Sequence, residues 1–224
     1  MRVFRCEPTK SSGLMKSIFA LVALLLATRG GAWTSYPEFE NSVIQALDHP
    51  QMLLDSGFTN QLAESSTSSN VDLRIGSLMV RGICARQDFL SNANAASLDL
   101  EMNLISNAVE ETMVMTSCWQ FATARLLYAG TYTSRDEFGR SYLILTNGLA
   151  SMGGTMNSAE TNALQSAILR RFDLAGLSLP MAYKVLAGMS AAGLGLRDKA
   201  FEFAEQLPSK YSEMIHEFAE AKCP

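Results

Sequence analysis

Apolar positions recur along this chain three and four residues apart, and the alternation that marks a half-buried strand is nearly absent. A first segment, about Pro37 to Asp48, sets Phe39, Val43, Ile44 and Leu47 on one face. Pro37 suits a helix start, Glu38 and Glu40 suit its positive end, and Pro50 closes it. A second runs from about Thr59 to Arg81, with Leu62 and then Val71, Ile75, Leu78 and Met79. Its middle, Ser65 to Asn70 (SSTSSN), is a poor helix former that either kinks the segment or breaks it, and Gly82 is a natural stop. A third segment, about Ala95 to Met113, is apolar at Leu98, Leu100, Leu104, Ile105, Ala108 and Val109. A fourth, about Ser117 to Tyr128, carries Trp119, Phe121, Leu126 and Leu127 and ends at Gly130. The fifth is the most regular: Phe138, Tyr142, Leu145, Leu149 and Met152 follow at intervals of four, three, four and three, before Gly153-Gly154.

These five segments predict a compact all-α bundle over residues 33–153. A smaller helical tail, 154–224, adds shorter periodic stretches. Leu164, Ile168 and Phe172 mark one, and Met181, Val185 and Met189 a second between Pro180 and Gly193. Phe201, Ala204 and Leu207 mark a third before Pro208, and Tyr211, Ile215 and Phe218 a last. Gly153-Gly154 is the best boundary, but no Pro/Ser-rich linker follows, so the tail is either a separate unit or a layer packed on the bundle.

The first 32 residues read differently. Lys16 precedes the apolar run Ile18 to Ala27, and the small residues Gly30, Gly31 and Ala32 follow. A charged start, a short apolar stretch and a small-residue cleavage site predict a secretory signal peptide, starting at Met1 or at Met15. The alternative is a buried N-terminal helix. Ten apolar residues are too few to span a bilayer, which needs about 20. Without this leader the chain has 13 Lys and Arg against 21 Asp and Glu, a net charge of −8. Residues 33–153 hold thirteen acids, six arginines and no lysine, whereas 154–224 are nearly neutral. An acidic first half argues against nucleic acid or an anionic membrane as a partner, and suits a protein that stays soluble at high concentration.

Secretion permits disulfides, and the three cysteines of the mature chain, Cys84, Cys118 and Cys223, leave one thiol over or joined to another chain. Cys84 and Cys118 flank the third helical segment, whose ends stand about 24 Å apart if it is straight, so their pairing needs Cys118 well inside the next helix. The connectivity stays open. Only His49 and His216 are present, no cysteine or histidine spacing suggests a metal, and no cofactor is expected. No nucleophile elbow, zinc-protease helix motif or phosphate loop occurs, so no catalytic residue is assigned.

Taken in order, residues 33–153 resemble the N-terminal domain of spidroins, the spider silk proteins. Trp33 stands where that family opens after its signal peptide, and Glu40-Asn41 where its first helix carries Glu-Asn. Gly57-Phe58-Thr59-Asn60-Gln61-Leu62 and then Ser66-Thr67 follow its Gly-Phe-Thr and Gln-Leu element. Leu100 to Glu110 are similar to its third-helix core, Gly130 to the end of its fourth helix, and Phe138 to Gly153 to its fifth. The resemblance implies a secreted, non-enzymatic structural protein, monomeric at neutral pH and dimeric on acidification, whose partners are a second copy and other silk-type chains. It implies that carboxylates sense the proton, for which Glu64, Glu110 and Glu111 are the candidates. The family's lysine falls near Ala96, and two of its carboxylates near Met115 and Ser141, so the pattern is incomplete. Arg74, Arg81 and Arg86 are the candidates for the missing positive pole, and Trp33 for a conformational anchor. The plain alternatives are solvated surface charges and a buried tryptophan. A rival reading is a secreted helical carrier that encloses a small apolar ligand among methionines and aromatic residues.

Overall fold

The computed structural model describes residues 32–113, 119–152 and 162–222. Among them the chain forms ten α-helices, one 3-10 turn and no strand. The helices are α1 (Tyr36–Asp48), α2 (Ser56–Ser65), α3 (Val71–Asn92), α4 (Ala95–Thr112), α5 (Trp119–Thr133), α6 (Phe138–Met152), α7 (Ala163–Arg171), α8 (Leu179–Gly193), α9 (Arg197–Ala204) and α10 (Ser209–Lys222). The 3-10 turn, Pro50–Leu54, joins α1 to α2. The protein is therefore all-helical, as its periodicity predicts.

The polar stretch after Ser65 breaks the second segment into α2 and α3, and the break is capped. Asp55 accepts from the Phe58 amide at the start of α2, and Asn70 accepts from the Asp72 and Leu73 amides at the start of α3. A side-chain cap of this kind contributes about 1 kcal/mol. Gly82 does not end α3, which runs on to Asn92. Its missing side chain serves packing instead: a Cβ there would stand 2.4 Å from Ile105 Cδ1, so α4 lies against bare backbone. The helix ends at Ala93, which takes a left-handed conformation with φ 52°. Asp88 then secures the turn into α4, accepting from Asn92, Asn94 and Ser97. Those bonds hold its carboxyl below the usual range. Gly130 likewise lies inside α5, which continues to Thr133.

A first core gathers Phe39 and Val43 of α1, Phe58 and Leu62 of α2, Ile75 and Met79 of α3, and Leu104 and Ile105 of α4. Leu164, Ala167 and Ile168 of α7 belong to the same core, although they come from the last third of the chain. A second core joins Leu126 of α5 and Leu145 of α6 to Leu169 of α7, Tyr183 and Val185 of α8, and Tyr211 of α10. A third, built almost wholly of alanine around Ile215, closes α8 on α9 and α10. Burial of a leucine or isoleucine side chain contributes about 2 kcal/mol, and α5 and α7 supply such residues to both larger cores. The residues after 162 thus share apolar surface with the first half.

Candidate functional site

The candidate charges fall at two ends of the α3–α4 pair. At the first, Arg74 donates from Nη2 to Glu111 Oε2 at 2.9 Å and from Nη1 to the Ser68 carbonyl at 2.8 Å. Arg81, two turns further along α3, donates from Nη1 to Ser66 Oγ at 2.8 Å. Both guanidiniums thereby tie down the polar connector between α2 and α3. Glu110 and Glu111 line a shallow groove with Ser66, Leu78 and Asn107. Glu110 is exposed, Glu111 is half-buried in its pair with Arg74, and Glu64 is exposed at the end of α2.

At the other end Arg86 turns inward. Its Nη1 donates to Glu101 Oε1 at 2.9 Å, its Nη2 donates to Ser134 Oγ, and its guanidinium lies 5.8 Å from the centre of the Phe172 ring. The Glu101 side chain is 4 % exposed and that of Arg86 18 %. Thr131 adds a second donor to Glu101 Oε1 at 3.3 Å, while Glu101 Oε2 is buried with no hydrogen-bond partner. Burial pushes the Glu101 carboxyl above its ordinary range, against the opposing pull of Arg86, Thr131 and, from further away, Arg135. An ionised carboxylate in such a place is costly unless paired, and only half of this one is satisfied.

Glu101 is the titratable group that the sequence reading passed over. Its signal was present: Ser97, Glu101, Leu104, Ile105, Ala108 and Thr112 are all buried and recur at helical intervals. Leu100, apolar and therefore expected inside, is 48 % exposed on the opposite side. Ser141, at the place of a family carboxylate, is fully buried. It stands 2.8 Å from Thr133 Oγ1 and accepts from Ser190 Oγ at 2.9 Å, a neutral hydroxyl cluster joining α5, α6 and α8.

Trp33 is half-buried, donates from Nε1 to Ser42 Oγ at 3.2 Å, and packs edge-on against Phe39 and Phe58 at 5.3 and 5.9 Å. It fastens the start of the described chain to α1 and α2. Cys84 is buried with a free thiol, and burial pushes that thiol up to about 12, away from the reactive thiolate. Cys118 and Cys223 lie outside the described residues, as do Met115, Gly153-Gly154 and the leader apart from Ala32. His216 packs on Phe201 at 4.2 Å, and His49 is exposed beyond α1. Among the described residues no group of three or more His, Cys, Asp or Glu could hold a metal ion, and no helix is long and apolar enough to cross a membrane. Compared with known proteins, the chain matches no family model, no curated protein and no solved structure.

Proposed function

We propose that this is a secreted, non-enzymatic, silk-type assembly protein. Its residues 33–153 act as a helical bundle, five segments by periodicity and six helices once the second segment breaks, with 154–224 as a helical tail, and the bundle pairs with a second copy on acidification. The observation that carries the reading is the half-satisfied Glu101 beneath Arg86. Its raised pKa makes the folded state take up a proton on mild acidification. Proton uptake removes the charge that holds Arg86 inward, and so changes the packing of α3, α4 and α5.

The outer face supplies the second half of the device. Glu110 and Glu111 bring negative charge to the groove beside α3, Arg74 and Arg81 reach its edge, and Glu64 adds an exposed charge at the end of α2. Two copies meeting through this face at neutral pH repel, which favours the separate, soluble chain. Protonation weakens that repulsion and leaves the arginines to attract whatever carboxylates remain charged, which links pairing to proton uptake. Trp33, which bridges α1 and α2, is the reporter of any movement between those two helices.

The test is the molar mass of the purified chain by light scattering in low salt. A monomer at pH 7.5 and a dimer at pH 5.5 are expected. Glu101→Gln and Glu110→Gln, which mimic the protonated side chains, move the midpoint to higher pH. A monomer at both pH values defeats the reading.

A further inference from the structure

A cavity of about 190 Å³ lies between α3, α5, α7 and α8. Leu126, Leu127, Ile168, Leu169 and Leu186 make its apolar wall, and its polar groups, Arg86, Thr133 and Ser134, come from α3 and the end of α5. Ser134 is exposed and Leu186 half-buried, so the space reaches solvent. A dry apolar cavity of about 150 Å³ accepts a benzene. This one therefore suits a single ring carrying a small polar substituent.

Gly130 supplies the second observation. At Gly76, Gly82, Gly148 and Gly188 a neighbouring side chain already stands within 2.6 Å of where a Cβ would be, so any larger residue would have to displace it. At Gly130 a Cβ would meet only Leu186 Cδ1, at 4.0 Å. Glycine inside a helix lowers its stability relative to alanine, and no close contact at this position calls for it. What the missing side chain leaves is open volume on the wall of the cavity.

The polar end decides the kind of ligand. Arg86 already spends its charge on Glu101 and gives a further hydrogen bond to Ser134. An added anion would face the Glu101 carboxylate across one guanidinium, whereas a neutral acceptor can share the remaining N–H groups without new charge. We propose that this cavity is a binding site for a small uncharged molecule with a compact, ring-sized apolar body and one hydrogen-bond acceptor, held by the remaining N–H groups of Arg86, while Ser134, which donates to the Gly130 carbonyl and accepts from Arg86, keeps that guanidinium in place. The site gives the carrier alternative of the sequence reading a location and a ligand class. It does not depend on pairing of two copies, because occupancy is measured at pH 7.5, so the failure of either proposal leaves the other standing.

The experiment is a titration of the whole chain at pH 7.5, followed by the methyl NMR signals of leucine and isoleucine. The probes are acetophenone and its charged near-isostere benzoate. Saturable shifts centred on Leu126, Leu127, Ile168, Leu169 and Leu186 are expected with acetophenone, and at least tenfold weaker binding with benzoate. Gly130→Leu, which fills the space, weakens acetophenone binding at least tenfold without lowering the thermal midpoint. Gly130→Ala keeps the binding and raises the midpoint. Leu186→Phe fills the same space from α8 and replaces Gly130→Leu should that variant not fold. Absence of saturable shifts, shifts centred on other methyl groups, benzoate binding as tight as acetophenone, or undiminished binding in a folded cavity-filled variant each overturns the proposal.

Discussion

Where α3, α4 and α5 meet, a buried carboxylate pairs with a half-buried guanidinium; where α8 meets α6 and α10, the buried polar groups are neutral hydroxyls, and alanine and glycine let large side chains come close. In the first region Glu101 has one satisfied oxygen and one bare one. In the second, Thr133, Ser141 and Ser190 satisfy one another, and Tyr183 donates to the Ala122 carbonyl at 2.6 Å. The second region gains its closeness by leaving side chains out. Tyr183 lies against Gly148, Ile215 against Gly188, and Phe138 against Gly193. The first region therefore holds a group whose charge depends on pH, whereas close packing and neutral hydrogen bonds hold the second.

The pH dependence of the first region has a definite sign. Because the Glu101 pKa is raised in the folded chain, the fold binds a proton that the unfolded chain releases. This group's contribution is full below the ordinary glutamate value and is lost as pH rises through the raised one. Acidification across that window stabilises the fold.

Arg86→Met breaks the contrast most severely, since it leaves Glu101 buried and unpaired. Urea unfolding at pH 7.5 should show a loss of about 3 kcal/mol, and the loss should shrink towards pH 5 as Glu101 takes up its proton. An equal loss at both pH values would show that the pair is only packing. Gly148→Val is the counterpart in the second region. Its Cβ would stand 2.4 Å from the fully buried Tyr183 ring, and overpacking of this kind costs about 2 to 3 kcal/mol. That loss should be the same at pH 7.5 and pH 5.5, and a pH-dependent one would tie the second region to the first.

Tyr183→Phe removes one buried donor and leaves the Ala122 carbonyl to the helix alone. The expected loss is about 1 to 2 kcal/mol by thermal unfolding, again without pH dependence. Glu111→Gln is the mildest change. Its pair with Arg74 is partly open to solvent, so stability should fall by no more than about 0.5 kcal/mol and should not change at all in high salt. A larger effect would mean that Glu111 holds the α2–α3 connector through Arg74.

The helices were legible in the chain because their signals are local. Intervals of three and four residues mark the buried faces of α1, α6 and α10, Asn70 caps α3 within three residues, and the polar run after Ser65 breaks the chain where a helix gains least. Even the site of Glu101 could be read from its spacing to Leu104, Ile105 and Ala108, although charge suggested an outward place. Its partners could not. Arg86 and Thr131 meet it from two other helices, 15 and 30 residues away, and only their packing settles how much of the carboxylate is satisfied.

The glycines divide in the same way. A sequence can say that Gly82 and Gly130 weaken a helix, but whether each one ends it, admits a neighbour or leaves a hollow depends on what lies across the interface. Ile105 fills the space at Gly82 and only the edge of Leu186 approaches Gly130. Likewise α7 shows a helical period of its own, but its place in one core with α1, more than a hundred residues earlier in the chain, comes from apolar surfaces that meet only on folding. The sequence by itself determined an all-helical chain, because periodicity and capping act within a turn or two. The tertiary structure alone decided which charge is buried and where a cavity remains, because desolvation and volume are set by neighbours that sequence distance does not reveal.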